Sequence, residues 1–387
     1  MTNLLINKNN KSYFSSFFLY NTARVLPHAV LTVILLDKGM TIGEIAIIQS
    51  FFMVAGLLFE LPSGLLTDSW SEKRMYQLSL VLLAISYLII MMSYNFYILC
   101  FSWFIYGISN AAISGSLEAY FVRRLTNDER KIKAFNIKYN NVNIYSTLLG
   151  GGVGSVIYSY FSDNLYVVSL VMIAVSFLII SLGFKDSKTE FSERPTLKDS
   201  LKDMKNLKNN NQLMIFIFSL ALFQIILQLF FQFWQVMFLD KNFGKEYFGI
   251  IYILFQLMAI LSNYIFERVN LKNKHLILIV SLSGLLILAI CLTNKWLFVA
   301  TIILFLIPFN LYNNQLIVDI QQQASVKNVS AIMSLAGTIG SVVAMLFLWS
   351  MGFLNKFYSF NVITIIIILF FMLLSLLLIA SKRWRNV

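Results

Sequence analysis

The chain has 387 residues, of which 58% are hydrophobic and only 12% charged, with a mean hydropathy of +0.75. A soluble domain carries about 25% charge, so a water-soluble globular protein is excluded, and at roughly 20 apolar residues per crossing of a ~30 Å hydrocarbon core the length accommodates about a dozen membrane spans. The net charge of +12, which in a soluble chain would point to nucleic acid, is instead accounted for by the membrane's inner surface, and no nucleic-acid partner is expected.

Apolar stretches run near 12 to 36, 42 to 66, 74 to 93, 96 to 122, 134 to 160 and 165 to 184. After a polar break, six more lie near 212 to 238, 247 to 266, 275 to 293, 296 to 322, 330 to 353 and 358 to 380. The expected fold class is an all-α membrane protein with twelve transmembrane helices in two six-helix bundles, 1 to 184 and 212 to 387, joined by a linker over 185 to 211. Within the linker, Leu197, Leu201, Met204 and Leu207 recur at helical spacing among Lys198, Lys202, Lys205 and Lys208. That pattern fits a short amphipathic helix on the inner leaflet or a disordered basic linker. The polar segment from Met1 to Lys11 runs straight into a span too long for a cleaved signal sequence, so the first span is expected to stay.

With alternate connections assigned to opposite sides, one side collects nearly all the Lys and Arg. The other holds Lys38, Lys241, Lys245, Lys295 and Lys356, while Arg24 and Lys138 fall inside helices. The bias places both termini and the central break in the cytoplasm. Abundant Lys, Asn, Ile and Phe fit an AT-rich bacterial gene, hence a bacterial plasma membrane. The chain has no GxxxxGK[ST], HExxH, GxSxG or CxxC, only the histidines His28 and His275, and two cysteines, Cys100 and Cys291, far apart in apolar runs. No cofactor, metal or enzymatic chemistry is expected.

The two halves repeat. Gly64, Asp68 and Lys73 match the spacing of Asn263, Glu267 and Lys272 about 200 residues on, and Asn110 and Glu118 correspond to Asn310 and Asp319. Polar groups inside spans mark the candidate site, because a cation at the centre of a span costs about 2.5 to 3.5 kcal/mol on insertion scales. Asn21, Arg24 and His28 share one face of the first helix, with Pro27 loosening the backbone. Arg24 and His28 are candidate substrate ligands for an anionic or hydrogen-bonding group; the alternative for Arg24 is a structural pair with a carboxylate. In the seventh helix Gln224, Gln228, Gln232 and Gln235 form a stripe that either lines a wet cavity or bonds two helices together. Asn110, Asn310 and Asn314 are candidates for the same lining. Glu60, Glu118 and Lys138 lie near the inner ends of helices 2, 4 and 5, and Asp319 comparably in helix 10. They form either a proton-coupling cluster, with Glu118 and Lys138 able to pair, or a fixed charge network. Asp68 is a candidate cap for the N-terminus of helix 11 near Ser330, or a solvated aspartate.

The stretch from Glu60 to Arg74, ELPSGLLTDSWSEKR, resembles the loop between helices 2 and 3 of the major facilitator superfamily, whose pattern is G-x-x-x-D-R-x-G-R-K/R; Gly64, Asp68 and Lys73 match it and Arg74 adds a cation. Ser114 to Tyr120, SGSLEAY, resembles the SG-x-x-EA stretch of a bacterial drug-exporter-like branch. The run Gly150, Gly151, Gly152 and Gly154 in helix 5 stands where that branch has spaced glycines and Gly-Pro, here without the proline. The resemblance implies a cavity lined by helices 1, 4, 7 and 10, solute movement coupled to a proton or solute gradient by rocking bundles, and a conformational gate at Gly64, Asp68, Lys73 and Arg74. The expected function is secondary active transport by a monomer in the lipid bilayer, with protons and a small-molecule substrate as partners: proton-coupled efflux of a small amphipathic compound. Transport of an anionic solute, lipid headgroup or peptide, and a non-transporting sensor of the same fold, are the alternatives.

Overall fold

The computed structural model describes residues 8–69, 71–114, 116–117, 120–121, 129–185, 211–323 and 329–384, with backbone alone at 8, 60–69, 114, 129, 130, 132, 329–331 and 381–384. The expected linker helix and Glu118 lie outside the described residues, as do the side chains of Glu60, Asp68 and Ser330, while Gly64 is described by its helical backbone alone.

Helices satisfy their own backbone groups in hydrocarbon, and most apolar stretches become helices within about five residues of their expected bounds; the stretch expected at 96 to 122 ends as a helix at Ser114. They are α1 (Lys8–Val25), α2 (Leu31–Asp37), α3 (Ile42–Ser69), α4 (Glu72–Met92), α5 (Phe96–Ser114), α6 (Glu129–Phe161) and α7 (Leu165–Gly183), followed by α8 (Asn211–Asp240), α9 (Phe248–Arg268), α10 (His275–Cys291), α11 (Lys295–Gln323), α12 (Val329–Leu354) and α13 (Phe360–Trp384). Twelve spans result, because α1 and α2 together make the first. Among the described residues nine runs have the length and apolarity to cross a membrane, one of them, Lys133–Gly183, carrying both α6 and α7. The first span departs from the expectation of one continuous helix. Pro27 has no N–H to donate, and the chain turns through Leu26 to Val30 on short bonds, His28 N to Val25 O and Val30 N to Pro27 O, both 2.9 Å.

Two compact units form, one of residues 1–190 with Gly244–Ile253, the other of Phe191–Phe243 with 254–387. In the first, α1 packs on α6 and α7, and α4 on α5 and α7; in the second, α8 packs on α12 and α13, and α10 on α11 and α13. These four pairings thus recur six spans later. Finer details recur with it. Asn95 Oδ1 accepts Tyr97 N at 2.9 Å at the start of α5, and Asn294 Oδ1 accepts Trp296 N at 2.9 Å at the start of α11, each satisfying an orphan amide of a helix N-terminus. Lys38, ending α2, donates to Met91 O at 3.3 Å, and Lys241, ending α8, donates to Ile290 O at 3.2 Å.

In the first unit Lys38 Nζ also meets Asp163 Oδ2 at 2.6 Å with the lysine side chain 1% exposed. Its ammonium lies 4.2 Å from the Tyr94 ring centre. Removing one member of such a pair strands the other. Asp163→Ala is therefore expected to destabilise the protein by about 3 kcal/mol, read as a drop in the melting temperature of the detergent-solubilised chain; Lys38→Met with Asp163→Ala should recover most of the loss.

Small polar side chains fasten the helices. Ser16 Oγ and Ser176 Oγ lie 2.7 Å apart between α1 and α7, and Ser109 Oγ donates to Ser79 O at 2.7 Å between α5 and α4, the interhelical bonding expected where lipid offers no hydrophobic drive. Helix α6 approaches α1 by glycine. A Cβ on Gly150 would stand 2.7 Å from Thr22 O, and one on Gly154 would overlap Leu26 O.

Candidate functional site

That close approach sets Asn143 and Ser146 of α6 against Asn21 of α1. Asn21 Nδ2 donates to Ser146 Oγ at 2.6 Å and to Asn143 Oδ1 at 2.9 Å, which turns Asn21 Oδ1 toward Arg24. Arg24 Nη2 and Nε donate to it at 3.1 and 3.3 Å. The amide chain acts as a bracket that fixes the guanidinium one turn from the break in the first span. Tyr87 Oη donates to Arg24 O at 2.9 Å, tying the end of α1 to α4.

Arg24 faces a cavity of about 260 Å³ inside the first unit, shared with Asn110, Asn143, Tyr20, Tyr76 and Tyr139. Its electrostatic neighbours include the phenols of Tyr106, Tyr20 and Tyr87. Among the described residues no carboxylate lies within ion-pair distance of it. An arginine stays charged at any physiological pH, so the cavity holds a fixed positive charge with aromatic walls and amide donors around it. Of the expected ligands, Asn110 joins Arg24 here. His28 lies in the break with Nε2 3.3 Å from Tyr106 Oη.

In the second unit, Gln232 Nε2 donates to Gln228 Oε1 at 3.0 Å along α8. Gln224 packs on Gly340 of α12, where an added Cβ would stand 3.1 Å from Gln224 Cγ. Gln224 and Gln232 keep partial exposure, whereas Gln228 and Gln235 are buried. Cysteines placed at 224 and 232 are expected to react with a water-borne thiol reagent several times faster than cysteines at the fully buried Ile226 and Phe230; equal protection at all four would mean a dry stripe. Asn310 Nδ2 donates to Leu306 O at 2.7 Å, and Asn314 Nδ2 to Asn263 Oδ1 at 2.8 Å.

Asp319 is buried in α11 with a partner that the sequence had not singled out. Gln315 Nε2 donates to Asp319 Oδ1 at 2.9 Å, and His275 Nε2 stands 2.9 Å from Asp319 Oδ2. Among the described residues no aligned hydrogen bond reaches Oδ2, so the imidazole meets the carboxylate off the hydrogen-bond axis. The Tyr312 ring stands edge-on to the imidazole, 6.0 Å between centres.

Three further expected residues have described side chains. Lys73 Nζ donates to Phe184 O at 2.7 Å and Ser181 O at 3.1 Å, capping the C-terminus of α7, where cations are favoured. Arg74 is exposed, its amide accepted by Ser71 Oγ at 3.3 Å. Lys138 Nζ lies 4.3 Å from the Phe14 ring centre.

Residues 13–313 match the family model described as Major Facilitator Superfamily. No curated protein matches the chain. Among solved structures the fold is similar to that of the nucleoside transporter NupG, at a TM-score of 0.78 and 15% identity over 97% of this chain and 99% of that one. It is similar also to a D-xylose-proton symporter, at 0.68 and 12% over 95% of both chains. A bacterial homolog of the human lysosomal transporter Spinster, inward-facing and occupied, matches at 0.68 and 10% over 86% of this chain and 78% of that one. At these identities the likeness is one of fold.

Proposed function

The chain belongs to the Major Facilitator Superfamily, and we propose that this transporter is a monomeric proton-coupled exporter of a small amphipathic solute whose anionic group docks on Arg24. It works in a bacterial plasma membrane with both termini cytoplasmic. The observation that carries the solute class is the Arg24 guanidinium, bracketed by Asn21 and opening into an aromatic cavity with no carboxylate partner among the described residues. A carboxylate or phosphate supplies the counter-charge that this cavity lacks, in the bidentate geometry that a guanidinium favours, while Tyr20, Tyr76 and Tyr139 accept an apolar body. Of the solute classes left open by the sequence, this favours an amphipathic anion over a neutral compound.

Outward movement rests on the resemblance of Ser114 to Tyr120 to exporters. Proton coupling rests on Asp319 with His275, together with Glu118. Asp319→Asn removes the carboxyl group of the pair, and is expected to abolish accumulation driven by a pH gradient while solute exchange at equal concentrations continues. Full gradient-driven transport by Asp319→Asn and by Glu118→Gln would remove the proton from the scheme. The solute class is tested by binding to the purified protein of matched pairs, an aromatic carboxylate against its amide. Preference for the carboxylate by tenfold or more is expected; equal affinity would overturn the anionic assignment.

A further inference from the structure

A second basic site lies on the outside of the first unit, away from the Arg24 cavity. Between α1 and α6 an open groove of about 690 Å³ is bordered by Lys11 and Lys138, with Phe14, Phe18, Leu19 and Val142 forming its floor and walls. Helices α1 and α6 run in the same direction, as the ring contacts of Phe14 with Phe135 and of Phe17 with Tyr139 show, so both lysines stand toward the same membrane face. At 33 residues α6 is about 50 Å long at 1.5 Å per residue, well beyond a ~30 Å core. Lys138 sits about 35 Å from its far end at Phe161, at the headgroup level of the leaflet that the charge bias makes cytoplasmic.

Neither lysine has a carboxylate within ion-pair distance among the described residues; Lys138 rests on the Phe14 ring instead. The frame beneath them is fixed. Asn9 and Lys185 exchange two hydrogen bonds of 2.9 Å, pinning the start of α1 to the end of α7. Two ammonium groups at headgroup depth above an apolar channel match one ligand chemistry, a phosphate with negative net charge attached to an acyl chain. We propose that this groove binds an anionic phospholipid of the cytoplasmic leaflet, Lys11 and Lys138 holding the headgroup phosphate and Phe18, Leu19 and Val142 the first part of a chain. This site is independent of the transported solute.

The test is native mass spectrometry of the full chain released from detergent micelles containing phosphatidylglycerol, phosphatidylcholine or inorganic phosphate. One phosphatidylglycerol should survive collisional activation that strips phosphatidylcholine, and inorganic phosphate should leave no adduct. Lys11→Gln with Lys138→Gln should lower phosphatidylglycerol occupancy roughly tenfold, each single variant by less, and Lys133→Gln, an exposed lysine of the same helix that does not border the groove, should leave it unchanged. Equal retention of the two lipids, undiminished retention in the single and double variants, or displacement of phosphatidylglycerol by inorganic phosphate would overturn the proposal.

Discussion

Arg24→Ala should lower affinity for an anionic solute by roughly 10- to 100-fold, the loss expected for one or two hydrogen bonds to a charged group, and leave a neutral analogue within about twofold. The asymmetry follows from the bracket around the guanidinium. Asn21 is held by Asn143 and Ser146 whether or not Arg24 is present, so truncation removes the charge without loosening α1 from α6. Arg24→Lys keeps the charge but loses the fork, and the two bonds to Asn21 Oδ1 cannot both be remade by one ammonium at that reach. An intermediate affinity, closer to Ala than to the native protein, is expected. Titration calorimetry with the carboxylate and amide pair reads both variants. Equal loss for charged and neutral compounds would mean that Arg24 organises the bundle rather than the solute.

The largest structural effect is expected at Gly154. Its Cα faces the carbonyl of Leu26, at the point where Pro27 breaks the first span, so any Cβ there collides with backbone that no rotamer change can move. Gly154→Val should separate α1 from α6, undo the Asn21 to Asn143 and Ser146 bonds, and cost several kcal/mol as overpacking of a tight contact. Size-exclusion chromatography in mild detergent should show loss of the monodisperse peak. By contrast, Gly56→Ala, where an added Cβ meets nothing within 4 Å, should elute as the native chain does. A well-behaved Gly154→Val protein would mean that the two helices do not need this approach.

Why the spans were legible and their partners were not follows from the physics of each signal. An apolar run of twenty residues is a local property that hydrocarbon enforces, so helices from α3 to α13 fall within about five residues of the hydropathy pattern, except that α5 ends at Ser114 and not near 122. The stripe of Gln224, Gln228 and Gln232 was likewise set by helical period alone. What each stripe meets is not local. That Gln224 packs on Gly340 depends on how α8 crosses α12, and nothing in either segment announces it. The contact of His275 with Asp319 joins residues on consecutive spans at one depth. In the sequence His275 is the first residue of the stretch 275 to 293 and counts only as one of two histidines, although its depth relative to Asp319 could have been counted from the span ends. Lys38 and Lys241 were similarly taken as markers of topology, yet both reach back to cap the carbonyl ends of α4 and α10. Their equivalent places, like those of Asn95 and Asn294, carry the internal repeat more sharply than the polar residues that first revealed it.

The most direct measurement is solute flux in inverted membrane vesicles with the interior acidified, carried out across aromatic carboxylates and their neutral amides, with and without a protonophore. The proposed function predicts accumulation of a carboxylate that collapses on adding the protonophore, is absent in Arg24→Ala vesicles, and is not seen for the amide. Accumulation of neither class under an imposed pH gradient, with the native protein present in the vesicles, would contradict it.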